Sequence, residues 1–388
     1  MKDSNVNSPP IEHSYWNPTD VIITQDLIPS LVAALEKFCP QAKTVLLVTG
    51  RNAVRKFGYF DLVYQNLQSA FHVVLFEGVV PDPSPKTAEE CARLIEEKKV
   101  DAVIAMGGGS VIDLCKVATS FVGTRADIEP FLAEQNHLIP KRKLPLIAIP
   151  TTAGTGSEVT PYAVLTGQNG RKLFAISPHF FPTVGIVCFQ FHQTVPQRII
   201  REVGMDGFTH ALEALWARRA SPVTDALALQ ALIRFHHYLV PYYKNPTDSH
   251  LAEEVATAAM LAGQAFSNAY TVICHALSFP LATHLNLSHG KCCALTIVAT
   301  AEFNADITTP ALEQLAREIG LNSPKELPNY IRWLREGLED DITLSSVGFK
   351  PVDIPLIVQR ANPSMLANNV KPVTLSDLDL LLYHSLYI

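Results

Sequence analysis

"DAVIAMGGGSVIDLCK", residues 101–116, decides the fold. An apolar run ends in three consecutive glycines, and the residues after them resume with helical spacing. This is a strand passing through a tight turn into a helix, and the same alternation repeats outward from it. "KTVLLVTG" (43–50) and "FHVVLFEGV" (71–79) are apolar strands, the second closed by the turn-rich "PDPSP". "TAEECARLIEEKKV" (87–100) has helical spacing with a charged face, "SVIDLCKVATSFV" (110–122) is helical, and "LPLIAIP" (144–150) is a further strand. Strands separated by helices in units of ~30 residues indicate βαβ crossovers and a parallel sheet. From about Pro196 the pattern is helical throughout, from "QRIIREVGMDGFTHALEALWARR" to "LPNYIRWLREGLE". The expectation is an α/β domain over residues 1–195, an all-α domain over 196–388, and a cleft between them. No internal repeat or low-complexity linker interrupts either half.

Length and composition agree. A chain of 388 residues exceeds one typical core. With 48% hydrophobic and 18% charged residues it reads as a well-buried globule rather than a disordered chain. The formal net charge of −6 and the lack of a Lys/Arg block argue against a nucleic-acid or anionic-membrane surface. The N-terminal "MKDSNVNSPPIEHSYW" has no apolar core of a secretory signal, and no apolar run reaches the roughly 18 residues of a spanning helix. The seven cysteines sit mostly in apolar surroundings and read as buried free thiols of a cytoplasmic protein. Without a C-x-x-C pair, a thiolate zinc site is not expected.

Two loops offer a nucleotide site. Gly107, Gly108 and Gly109 let the backbone approach a ligand, and the amides opening the next helix favour a diphosphate; the alternative is a plain tight turn. Ser110 is expected to cap that helix, with Asp113 as its partner. This is not the G-x-G-x-x-G fingerprint, which withholds the usual Rossmann inference. "IPTTAGTGSEVTP" (149–161) also follows a strand and offers hydroxyls, among them Thr151, Thr152 and Thr155. Two such loops on adjacent strand ends favour a shared crevice over two solvated turns.

A metal site is suggested by histidines. "NAYTVICHALSFPLATHLNLSHGK" (268–291) is nearly free of charge yet holds His275, His284 and His289. "GMDGFTHALEA" adds Asp206 and His210, which i, i+4 spacing puts on one helix face. Alone, that pair favours a buried Asp–His hydrogen bond. Together, Asp206, His210, His275 and His289 give one oxygen and three nitrogen ligands and leave a coordination position for substrate. His284 is the odd one out, a surface or helix-end histidine.

The stretches "GGGSVIDLCK", "IPTTAGTGSEVT", "GMDGFTHALEA", "RRASPVTDALALQAL" and "CHALSFPLATHLNLSHG" resemble the iron-containing (group III) alcohol dehydrogenases, over essentially the whole chain. The resemblance implies a Rossmann-like α/β nucleotide domain and an all-helical domain, the architecture shared with dehydroquinate synthase. It implies metal ligation by Asp206, His210, His275 and His289, and a diphosphate loop at Gly107, Gly108, Gly109 and Ser110. Thr151, Thr152 and Thr155 match the loop by the nicotinamide ribose, and Lys172 matches a lysine near the cofactor. The implied chemistry is NAD(P)H-linked reduction of a small aldehyde or ketone on Fe²⁺, with Zn²⁺ the second choice, in a homodimer. The chain departs from the family pattern at Phe279, where a second His is common, at Cys188-Phe189, where "DP" is common, and at Gly50, where Asp is common. The form of the final motif resembles a branch that includes phosphonoacetaldehyde reductases, and Lys291 beside His289-Gly290 stands either near such an anionic substrate or in solvent. Gly50 removes a carboxylate that would repel a 2′-phosphate and Arg51 can pair with one, so NADP(H) is expected over NAD(H). The alternatives are a lyase related to dehydroquinate synthase and a non-catalytic, metal-dependent structural protein.

Overall fold

The computed structural model describes residues 14–51, 53–134 and 138–388; most of the N-terminal stretch read above for a leader lies outside them. Eight strands occur among these residues: β1 (Asp20–Thr24), β2 (Thr44–Gly50), β3 (His72–Val79), β4 (Ala102–Gly107), β5 (Leu146–Pro150), β6 (Tyr162–Thr166), β7 (Lys172–Ile176) and β8 (Val184–Cys188). Six form one parallel sheet in the order β1-β8-β5-β4-β2-β3. β6 and β7 form a separate antiparallel hairpin.

The unbroken apolar runs follow from burial on both faces of the sheet. Leu46, Val48, Val103 and Ala105 join one core, with the helices Pro85–Glu97 and Gly109–Phe121 over it. Val45, Leu47, Ile104 and Met106 alternate into a second core under Leu27–Phe38 and Tyr59–Gln68. The expected strands and helices are present to within a few residues. β1, β8 and the β6–β7 hairpin were not expected. β1 is a half-exposed edge and β8 carries Gly185, so neither shows a long apolar signature, and each needs a partner far away in sequence.

The last parallel strand ends at Cys188, and the long helices begin at Gln197. Beyond it the described residues contain helices and one isolated bridge, Ala217 to Asn369. The helices Gln197–Trp216, Pro222–Lys244 and Ser249–Ala269 share one core. The middle one opens with a Ser221–Thr224 capping box and Pro222 in its first turn. No helix among the described residues is long and apolar enough to cross a membrane.

Candidate metal and nucleotide site

Three helices deliver the metal-end side chains. Asp206 and His210 project from the same face of Gln197–Trp216, His275 from the first turn of Ile273–Leu285, and His289 opens His289–Phe303. The His-Gly pair has a steric reason: a Cβ at residue 290 would lie 2.3 Å from the Glu202 carbonyl oxygen and 3.1 Å from the Asp206 Cβ. Glycine lets the two helices touch and brings His289 to Asp206.

Asp206 Oδ1 lies 3.7 Å from His275 Nε2 and 3.6 Å from His289 Nε2. The His210 ring stacks on Phe266 at 4.0 Å and against His275 at 4.4 Å. Asp206 Oδ1, His210 Nδ1 and His275 Nε2 are buried without a hydrogen-bond partner. Buried polar atoms are ordinarily satisfied, so the orphaned Asp206 oxygen and His275 nitrogen, 3.7 Å apart, fit a divalent cation. Burial drives the Asp206 carboxyl up, but His210, His289 and His275 outweigh it and hold it well below the usual carboxylate range. His210 is pushed down to about 3, chiefly by burial.

Two residues at this centre were missed in the sequence. Glu213, fully buried on the same helix face, receives His275 Nδ1 at 2.6 Å and the amides of Val272 at 2.9 Å and Cys274 at 2.5 Å. It fixes the imidazole tautomer so that Nε2 faces the cavity. Its spacing was legible, since it follows His210 by three residues. The second is Cys293, whose Sγ lies 3.9 Å from His289 Nε2. One ligand atom each from Asp206, His275, His289 and Cys293 lie within 4.8 Å of one another, a set that leaves out His210. The search for C-x-x-C passed over a cysteine one helical turn after a histidine.

The glycine loop faces these donors from the other domain. Gly107 ends β4 beside Pro150 of β5, and Thr151 donates its amide to the Gly107 carbonyl at 3.0 Å. A Cβ on Gly108 would meet Thr152 at 3.4 Å and one on Gly109 would meet Thr155 at 3.1 Å, so the two loops are adjacent. The expected Ser110–Asp113 cap does not form. Gly108 is the cap residue, and Ser110 Oγ accepts from the Asp82 amide. Asp113 instead accepts from Ser157 Oγ at 2.6 Å and the Val164 amide at 3.0 Å, because β6 packs against its helix. Lys116, fully buried, donates to Ser157, Thr160 and the Tyr162 carbonyl and clamps the second loop to the same helix. Burial lowers its pKa to about 8. The loop reaches the helical domain where Gly156, at φ +60°, meets Gly263 backbone to backbone.

A cavity of about 430 Å³ joins the two ends. Gly109, Ser110, Thr155 and Lys172 line it together with Asp206, His210, His275 and His289. Gly50, Arg51, Gly107, Gly108, Thr151 and Thr152 lie outside its lining; Gly50 ends β2, and Arg51 is exposed. Lys172 binds Asp82 at 2.7 Å and Thr166 at 3.1 Å. Phe279 stacks on His289 at 5.2 Å and faces Phe174 at 5.9 Å, forming a wall. His284 is outside the cavity, 3.4 Å from Asp353. Lys291 does not line the cavity either, and its charge acts on Asp340. Arg219 lines the cavity as well, 4.4 Å over the Tyr270 ring.

Comparison with known proteins is consistent along the chain. The iron-containing alcohol dehydrogenase family matches residues 18–188, and the C-terminal family of Fe-containing alcohol dehydrogenases matches 201–386. An NADPH-dependent butanol dehydrogenase of Clostridium saccharobutylicum is 32% identical over 338 residues, 83% of this chain and 86% of its own. Lactaldehyde reductase of Escherichia coli (strain K12) is 30% identical over 80% of this chain and 83% of its own. The crystal structure of sulfoacetaldehyde reductase from Bifidobacterium kashiwanohense in complex with NAD+ superposes with a TM-score of 0.90 at 28% identity, covering 97% of this chain and 99% of that one.

Proposed function

Because the chain belongs to the iron-containing alcohol dehydrogenase family, we propose that it transfers hydride between NAD(P)H and a small aldehyde or ketone at a divalent metal between residues 1–195 and 196–388. The observation that carries this reading is that Asp206, His210 and His275, each with a buried polar atom lacking a hydrogen-bond partner, line the same cavity as Gly109 and Ser110.

Asp206, His210, His275 and His289 are the residues that would hold the metal, and an oxygen-and-imidazole set suits Fe²⁺ first and Zn²⁺ second. When bound, such an ion polarises a carbonyl oxygen and the nicotinamide carries the hydride. The chain's own residues position and exclude. Glu213 orients His275, and Lys116 and Asp113 hold the Thr155–Thr160 loop against the glycine turn. Phe174 and Phe279 close one side against water. Phe279 has no proton to give and His284 faces Asp353, so the product oxygen takes its proton from a water chain or a coenzyme ribose hydroxyl rather than from either side chain.

Three finer points belong to the same reading. NADP(H) is preferred: Gly50 puts no carboxylate at the end of β2, and the exposed Arg51 follows it. The substrate is anionic, of the phosphonoacetaldehyde kind. Arg219 supports this, as does a second cavity of about 610 Å³ that shares the Phe174–Phe279 wall and is lined by Arg171, Lys172 and Arg360 with no Asp or Glu. In a chain of net charge −6 that is a local reversal of sign. The protein is a cytoplasmic homodimer; its seven unpaired, buried cysteines fit a reducing compartment.

The test is coenzyme oxidation by Fe²⁺- or Zn²⁺-loaded protein with NADPH and NADH against neutral and anionic short aldehydes. Oxidation is expected, fastest with NADPH and an anionic aldehyde. No oxidation by either metal form with any aldehyde would sink the proposal; a neutral aldehyde reduced faster would remove its anionic part.

A further inference from the structure

Cys293 is fully buried, yet its sulfur lies among the metal-end donors rather than in an apolar pocket of its own. Two independent features make this more than a cysteine near a histidine. The first is that Asp206 Oδ1 and His275 Nε2, both in the same mutually close set, are buried and lack hydrogen-bond partners. The second is distance. Four donors around one ion, with metal–nitrogen and metal–oxygen bonds of about 2.0–2.2 Å and a metal–sulfur bond of about 2.3 Å, sit roughly 3.3–3.8 Å apart along the edges of a tetrahedron. The separations here are 3.6 Å for Asp206–His289, 3.7 Å for Asp206–His275 and 3.9 Å for His289–Cys293. These three separations are within a few tenths of an ångström of what one ion would impose, and the other three pairs lie within 4.8 Å.

We infer that Cys293 is a metal ligand, taking the place given to His210 above, so that the centre is the oxygen, nitrogen and sulfur set of Asp206, His275, His289 and Cys293, built for a thiophilic divalent ion. This rests on the proposed reading of the site as a metal centre. The sulfur comes from the helix that carries His289, one turn on, so a single rigid element presents two donors and fixes their separation. The thiol loses its proton on binding, as any coordinating thiol does. A thiolate donor favours Zn²⁺, Fe²⁺ and Co²⁺ over Mg²⁺ and Mn²⁺ beyond what imidazole and carboxylate alone would do.

The direct test is X-ray absorption at the zinc edge of the zinc-loaded wild-type protein. One sulfur scatterer at about 2.3 Å is expected beside nitrogen and oxygen at about 2.0–2.2 Å. Cobalt-loaded protein should show a thiolate-to-cobalt charge-transfer band that Cys293→Ser abolishes and Cys292→Ser, a change at the adjacent buried thiol, leaves in place. Cys293→Ser should weaken zinc at least about tenfold against a chelator while changing manganese affinity little. A zinc shell of nitrogen and oxygen only, or a cobalt spectrum unchanged in Cys293→Ser, overturns the inference and leaves the metal centre standing. Failure to bind any divalent ion overturns both. The absorption measurement needs no variant, so poor folding of Cys293→Ser does not weaken it.

Discussion

The two ends of the cleft are built from different materials. At the metal end, side chains from separate helices converge, and the atoms that matter are a carboxylate oxygen, imidazole nitrogens and a sulfur. At the nucleotide end, the material is backbone at the C-terminal edges of β4 and β5, with small residues keeping side chains out of the way. A site made of side chains fails when one atom is removed. A site made of backbone tolerates most substitutions and fails when bulk is added. The deepest changes should therefore come from metal-end truncations that leave coenzyme binding alone.

The largest expected effect follows His275→Ala. Losing a ligand and the charge stabilisation of the metal, worth several kcal/mol, should lower kcat/KM by about a thousandfold or more, measured with metal content on the same sample. A variant that keeps both metal and turnover would break the comparison. Glu213→Gln is the sharper version. It touches neither metal nor substrate, yet it removes the charge that receives His275 and two amides. Metal affinity should fall about ten- to a hundredfold with the ligands all in place, read by chelator competition.

An intermediate effect is expected where the sheet gives way to the helices. His192 is buried at the end of the short helix Phe189–His192 that follows β8, its Nδ1 bonded to the Cys188 carbonyl, and burial pushes its pKa down to about 4. Below pH ~6.5 the unfolded chain gains a proton that the folded chain refuses until about pH 4. The stability is thus complete above ~6.5 and lost on acidification through that window, by roughly 3 kcal/mol at most. Denaturant titrations at stepped pH should show this slope, and His192→Phe should flatten it. An unchanged slope in the variant would assign the acid sensitivity elsewhere.

These same residues mark what the sequence made legible. The Asp206–His210 spacing was readable because helical periodicity turns spacing into direction, and the His275–His289 separation because it leaves room for a helix, a turn and a return to the same pocket. Glu213 stood on that face and was passed over because it is not itself an expected ligand and its partner His275 lies 62 residues further along the chain. Cys293 was dismissed because the pattern sought was Cys with Cys, not Cys with His. Asp113 was read as a cap from local spacing, while its real partners, Ser157 and Val164, come from a loop and strand far along the chain. β1 was invisible for the same reason: a five-residue edge strand is defined by β8, more than 150 residues away. Local rules found what local geometry decides and missed what long-range pairing decides.

The smallest effect is at the nucleotide end. A Cβ at residue 50 would meet only ordinary contacts, 3.7 Å from the Val79 carbonyl, so Gly50→Asp should fold. Its carboxylate should shift coenzyme choice toward NADH by a few-fold to about a hundredfold, the span of ~1–3 kcal/mol for a partly screened repulsion. Comparing kcat/KM for the two coenzymes before and after checks it; no shift would place the 2′-phosphate away from β2.

The central claim is that the two ends are separate structures sharing one cavity. It is tested most directly by titrating reduced coenzyme onto metal-free His289→Ala protein and following nicotinamide fluorescence. The dissociation constant is expected within about threefold of wild type, on protein that neither retains a divalent ion nor turns over, a change of under 1 kcal/mol. Coenzyme binding abolished together with the metal would show one indivisible site and contradict it.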